Sequence, residues 1–152
     1  MKKITFSALL LASAVCFAQP AALLESAKQG DASAQSNLGV MLKEGRGVAK
    51  NDAEAVQWFR RAAEQGETKA QFLLGAMLNQ GQGVAQNDAE AVQWFQRAAQ
   101  QGDAKAQSNL GVMLKDGRGV SQNDAEAVQW YRRAAQQGDA KAQYNLGTML
   151  DQ

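Results

Sequence analysis

Eight residues, Asn51-Asp52-Ala53-Glu54-Ala55-Val56-Gln57-Trp58, return unchanged at 87–94 and again at 123–130. Both intervals are 36 residues. A period of this length leaves few options. Each copy is one supersecondary unit, too small to bury a core alone, so the copies must stack on their neighbours.

Each copy reads as two helices. In the recurring block, Asn51 is placed to accept a hydrogen bond from a first-turn N–H, and Glu54 to reach back to it as in a capping box. Asp52 and Glu54 also suit the positive end of the helix dipole. Ala55, Val56, Phe59, Ala62 and Ala63 then share one helical face, while Gln57, Arg60, Arg61 and Glu64 take the other. Gly66 ends this second helix of the unit, helix B. The first, helix A, starts at Asp31, Asp103 and Asp139 in three copies; the other has Glu67, a poorer cap that Thr68 is expected to replace. Ala34, Leu38, Met41 and Leu42 form its apolar face, and Gly45-Arg46-Gly47-Val48 turns the chain into helix B.

All 14 glycines belong to the period, in four columns: Gly30, 66, 102 and 138; Gly39, 75, 111 and 147; Gly45, 81 and 117; Gly47, 83 and 119. The second column lies inside helix A, where glycine costs about 1 kcal/mol relative to alanine. Close approach of a neighbouring helix would offset that cost, and Trp58, Trp94 and Trp130 are the expected occupants of the gap.

Residues 1–18 read as a secretory signal peptide. Lys2 and Lys3 precede an apolar run over 4–15, and Cys16 and Ala18 supply the small residues before a cleavage site. The run falls short of the roughly 20 apolar residues needed to span a bilayer. This points to a periplasmic or secreted protein. A lipid-anchoring role for Cys16 is the competing reading, and the branched Val15 before it argues against that. Cleavage would remove the only cysteine, so packing rather than disulfides would hold the mature chain together. It would also leave 14 of the 16 basic residues against 15 acidic ones, a net charge of −1. No basic run remains, so neither nucleic-acid binding nor membrane insertion is expected.

One domain follows over 19–152. Residues 19–29 read as a truncated helix B capping the stack, with Leu23 in the place of Phe59. Full units cover 30–65, 66–101 and 102–137, and a half unit covers 138–152.

The catalytic inventory is thin. There is no histidine, which excludes a histidine triad, general base or metal ligand. No cofactor or metal site is expected. The Gly-Arg-Gly turns join two helices rather than a strand and a helix, so they are turns, not phosphate loops. The Asp52–Glu54 pair is explained by capping, and the tryptophans by core packing. Arg60-Arg61 and Arg132-Arg133 read as a solvated face.

The pattern carried by Ala34, Leu38, Gly39, Leu42, Gly45, Gly47, Val48, Asp52, Ala55, Trp58, Phe59, Ala62, Ala63 and Gly66 resembles the Sel-one-like repeat (SLR), a relative of the tetratricopeptide repeat. Leu42, Leu78, Leu114 and Leu150 stand where that family more often has tyrosine. The resemblance implies an all-α fold, a right-handed α/α superhelix of antiparallel helix pairs. It also implies a non-enzymatic adaptor for proteins or peptides. Some exported relatives carry paired cysteines, with penicillin-binding or β-lactamase activity attributed to them. This chain lacks those cysteines, and a cell-wall or β-lactam hydrolase is the alternative reading.

In stacked pairs of this kind helix A lines the concave surface, so its off-core positions are the candidate binding residues: Lys69, Phe72, Asn79, Lys105, Asn109, Lys115, Lys141, Tyr144 and Asn145. Phe72 and Tyr144 occupy a column that is otherwise serine, Ser36 and Ser108, and are expected to anchor the partner or else to pack locally. Asn37, Asn109 and Asn145 would bond either an extended peptide or a neighbouring helix end. At the last helix, Leu146, Met149 and Leu150 have no following helix B to cover them, which suggests self-association there.

Overall fold

The computed structural model describes residues 20–151; the expected signal peptide, with Cys16, lies outside the described residues. Eight helices and no strand occur among them. Helix α1 covers 20–28. It is followed by α2 (Ala32–Glu44), α3 (Asp52–Glu64), α4 (Thr68–Gln80), α5 (Asp88–Gln100), α6 (Ala104–Asp116), α7 (Asp124–Gln136) and α8 (Ala140–Leu150). Even-numbered helices are the A helices and odd-numbered ones the B helices. Each packs on the next along the chain, which makes a solenoid. No described helix is long and apolar enough to cross a membrane.

Local signals place the helix ends. The Asn51 side chain accepts from the Glu54 N–H at 3.1 Å, and Asn87 and Asn123 do the same in their copies. Glu54 reaches back to Asn51, accepting from its side-chain amide at 3.2 Å and not from its backbone N–H. The Asn51 N–H donates across the hairpin to the Leu42 carbonyl instead, at 2.9 Å. Glu54 also accepts from the Trp58 indole at 3.3 Å. Glu67 caps α4 itself, accepting from the Ala70 N–H with the same extended backbone as the aspartate caps. Thr68 does not replace it; its hydroxyl donates to Gln101 in the next turn of the stack. At the other end of α2, Gly45 adopts φ 69°, a left-handed conformation that releases the chain into the turn.

Each A helix before α8 lies between two B helices, so it is buried over a wider arc than its apolar face alone suggests. Gln35, Gln71, Gln107, Ser36 and Ser108 are buried along with Leu38, Leu74 and Leu110. The notch at Gly39, Gly75 and Gly111 is filled by Phe59, Phe95 and Tyr131 of the same repeat, not by the tryptophans. The reason is angular: Phe59 is one residue past Trp58, about 100° further round the helix, and points back into its own hairpin. Trp58 is nonetheless 8% exposed, closed over by the Arg61 guanidinium at 4.7 Å from the ring. Arg97 and Arg133 cover Trp94 and Trp130 in the same way.

Two polar links and one close backbone approach join successive repeats. Gln71 donates to the Ala63 carbonyl at the end of the preceding B helix, 3.1 Å away, and accepts from Gln101 of the following junction at 2.7 Å. Gln35 and Gln107 do the same with Ala27 and Gln65, and with Ala99 and Gln137. Arg60 is not part of a free solvated face. It is half-buried and donates to Glu90 in the next B helix. Finally, the second glycine of each turn rides on the N-terminus of the preceding B helix. A Cβ on Gly83 would fall on the Asp52 carbonyl, and one on Gly119 on that of Asp88.

Candidate protein-binding surface

Residues at i, i+4, i+7 and i+11 share one side of a helix. On α6 these are Lys105, Asn109, Val112 and Asp116; on α4, Lys69, Leu73, Ala76 and Gln80. The same register on α8 gives Lys141, Asn145 and Thr148, and on α2 Ser33, Asn37, Val40 and Glu44. Stacking therefore lines these positions up as rows across the A helices. The first row, Ser33, Lys69, Lys105 and Lys141, is exposed, as are Glu44, Gln80 and Asp116 in the last. Between them Leu73, Asn109, Asn145, Val40, Ala76, Val112 and Thr148 are half-buried, and only Asn37 is open. The surface is thus a partly sunken floor with one basic edge.

The rows are closely set. The Lys141 ammonium donates to the Asn109 side chain at 3.2 Å, from one A helix to the one before it. Lys43, Lys69, Lys105, Lys115 and Lys141 make no ion pair among the described residues, and all five lie on A helices. Lys28 and Lys50, outside the A helices, are paired with Glu25 and Asp52.

Not every expected site residue belongs to this surface. Phe72 is half-buried, its ring centroid 6.1 Å from that of Phe95, and it packs on the core. Ser36 and Ser108 in its column are buried with unpartnered hydroxyls, so the column points between the helices of the hairpin, not outward. Tyr144 is 73% exposed because nothing packs on that side of α8. Asn79 is half-buried and donates to Asp88 at 2.8 Å, a bond that ties α4 to α5. Lys115 is half-buried and lies about a third of a turn round α6 from the row of Asn109.

The titratable groups that shift serve the scaffold. Burial pushes the Asp88 carboxyl up, but hydrogen bonds from Asn79, Gln86 and Arg118 outweigh it and hold the carboxyl below its usual range. The Arg60 hydrogen bond, helped by the Trp94 indole, holds Glu90 low against a smaller effect of burial. Burial, with Asp116 nearby, pushes the Tyr131 phenol up to about 12, tempered by Asn145. Its oxygen is buried without a partner in proper hydrogen-bond geometry, so Asn145 is close but poorly aligned. No group of acidic, histidine or cysteine side chains suited to a metal ion occurs among the described residues.

The glutamine junctions went unread in the sequence. Their signal was present: Ala-Gln recurs at 34–35, 70–71, 106–107 and 142–143, and a second glutamine at 65, 101 and 137.

A run of antiparallel helical hairpins with a 36-residue period, joined by buried side-chain bonds, defines an all-α solenoid. The family model described as the Sel1 repeat matches residues 32–67, 68–103, 104–139 and 140–152, and the chain belongs to that family. A protective antigen present in uropathogenic Escherichia coli strains, displaying an SLR fold, is similar at TM-score 0.81 and 43% identity. That match covers 85% of this chain and 28% of the antigen. A Sel1 repeat protein from Oxalobacter formigenes is similar at TM-score 0.78 and 38% identity, over 90% of this chain and 61% of that one. This chain thus spans less than two thirds of either relative. Helicobacter pylori cysteine rich protein B shares the fold at TM-score 0.62 and 20% identity, over 79% of this chain and 86% of its own. No match was found among curated proteins.

Proposed function

We propose that this chain is a non-enzymatic interaction scaffold that holds a protein or peptide partner on the A-helix surface, and that it works in the periplasm or outside the cell. Members of the Sel1 repeat family are commonly protein–protein interaction scaffolds. The observation that carries the reading to this surface is the contrast in how cations are used. The arginines at 46, 60, 61, 97, 118 and 133 are spent on glutamate, aspartate or tryptophan, Arg132 being the exception among the described residues. No A-helix lysine among them makes an ion pair, and only Lys141 bonds a neighbouring side chain, Asn109, beside a half-buried floor. A preformed surface of this kind binds at little cost in ordering entropy. The export part rests on the leader read at 1–18.

A second contact is supported at α8. Leu150 is 59% exposed, and a Cβ added to Gly147 would meet nothing within 4 Å, whereas its counterparts each seat a ring. We place self-association there, and sedimentation at rising concentration tests it.

The scaffold reading is tested by lysine crosslinking in a native envelope, with mapping by mass spectrometry. Crosslinks to a partner at Lys69, Lys105 and Lys141 are expected. Crosslinks confined to the B helices, or nitrocefin turnover by the purified protein, would overturn it.

A further inference from the structure

We propose that the occupant of the A-helix rows is an extended, acidic protein segment carrying a carboxylate at every third residue; this rests on the scaffold reading above. The argument starts from spacing. Successive A helices stand in a row along the stack, about one helix diameter apart, roughly 10 Å. The Lys141–Asn109 bond shows that α6 and α8 are near enough for a lysine to reach across. An extended or polyproline segment advances about 3.1–3.3 Å per residue, so roughly three residues pass each repeat. Lys69, Lys105 and Lys141 then meet one residue type in phase, and an ammonium selects a carboxylate.

The other rows agree with that occupant. Asn109 and Asn145 sit half-buried beside the lysines, where side-chain amides meet the N–H and C=O groups of an extended backbone. In the row of Asn109 and Asn145 only α4 carries an apolar residue, Leu73, so one apolar side chain of the segment sits there, between the first two acids. The opposite edge carries Glu44 and Asp116, which disfavours a uniform polyanion such as nucleic acid and admits a peptide with acids on one side only. Unit one has Ser33 in the lysine row, so the acidic register begins at α4.

The test is fluorescence anisotropy with the purified chain and labelled peptides long enough to cross three repeats. One has glutamate at every third residue; its scramble has the same composition with the acids clustered. The in-phase peptide is expected to bind more tightly than the scramble. The triple change Lys69→Glu, Lys105→Glu and Lys141→Glu is expected to weaken it about tenfold or more, the worth of three exposed ion pairs. Melting should not change, since all three lysines are exposed. Replacing them by arginine should retain binding. Equal binding of the two peptides, full binding by the charge-reversed variant, or equal competition by an oligonucleotide of matched charge would overturn the proposal. If peptide binding fails while envelope crosslinks still fall on Lys105 and Lys141, the acidic segment is wrong and the scaffold surface stands. Crosslinks confined to the B helices sink both.

Discussion

The ring of Phe95 lies so close to Gly75 that a Cβ on the glycine would stand 2.9 Å from its Cδ1 and Cε1, and 3.3 Å from the Ala91 carbonyl. The ring is 1% exposed and has nowhere to retreat. This approach is what the helix-interior glycines make room for, and the last of them, Gly147, faces open space. Gly75→Ala and Gly147→Ala should therefore change stability in opposite directions. The first gains about 1 kcal/mol of helix propensity but overpacks the hairpin at a cost of about 1–3 kcal/mol. The second keeps the gain without the cost. Urea unfolding of the two variants checks the signs, and a stabilised Gly75→Ala would show that the ring is not confined.

Gln71 bonds the Ala63 carbonyl, which also accepts from the Gly66 N–H, and the Gln101 amide, which also donates to the Gly66 carbonyl. Leucine would fill similar space and take one bond from each. Gln71→Leu should cost about 1–3 kcal/mol, the net worth of two lost hydrogen bonds. Gln143 has the same residue type at an exposed position, with a longer bond of 3.3 Å to Ala135. Its leucine variant should change stability by under about 0.5 kcal/mol. Comparable losses at both positions would mean the junction bonds do not discriminate buried from open ends.

Glu90 takes bonds from Arg60 of the preceding repeat and from its own Trp94, and its carboxyl is held below the usual value by them. A depressed folded-state value means stability that is present above the unfolded value and lost as pH falls through the folded one. The side chains of Arg60 and Glu90 are 33% and 28% exposed, so screening keeps the ion pair to under about 1 kcal/mol. Glu90→Gln should melt below the parent at pH 7. The gap should narrow as pH drops past the normal glutamate range. A gap that persists at pH 2–3 would assign the loss to packing instead.

Phe72 and Tyr144 share a sequence column but not a role. Phe72→Ser removes a ring packed on Phe95 and should cost about 1–3 kcal/mol, with a hydroxyl left as poorly placed as those of Ser36 and Ser108. Tyr144→Ser, at 73% exposure, should leave the stability of the monomer within about 0.5 kcal/mol of the parent. Thermal melts of the single variants separate the two, and equal losses would show that Tyr144 is covered in solution.

Much of the architecture could be read from the one-dimensional pattern. The period, the asparagine caps, the leucine and alanine faces and the turn glycines all act over distances of a few residues, so the chain displays them directly. Part of the surface proposed for binding was legible too: Lys69, Lys105 and Lys141 are exposed on the A helices, with Asn109 and Asn145 half-buried beside them. The places of Phe72 and Asn79 were not, because what a helix side faces depends on the neighbouring helix, and spacing within one helix does not report that. Arg60 is the same case, exposed by its own periodicity and half-buried by Glu90 of the next repeat.

The sequence by itself determined that identical helical hairpins must stack, since a unit of 36 residues with one apolar stripe per helix has no other way to remove that stripe from water. The tertiary structure alone decided which ring enters each glycine notch, which glutamines cross the junctions and which lysines are left without an ion pair. Those outcomes turn on about 100° of helix rotation and on residues roughly 30 positions apart meeting at bonding distance, as Gln65 meets Gln35 at 2.8 Å. Neither quantity exists until the hairpins are packed.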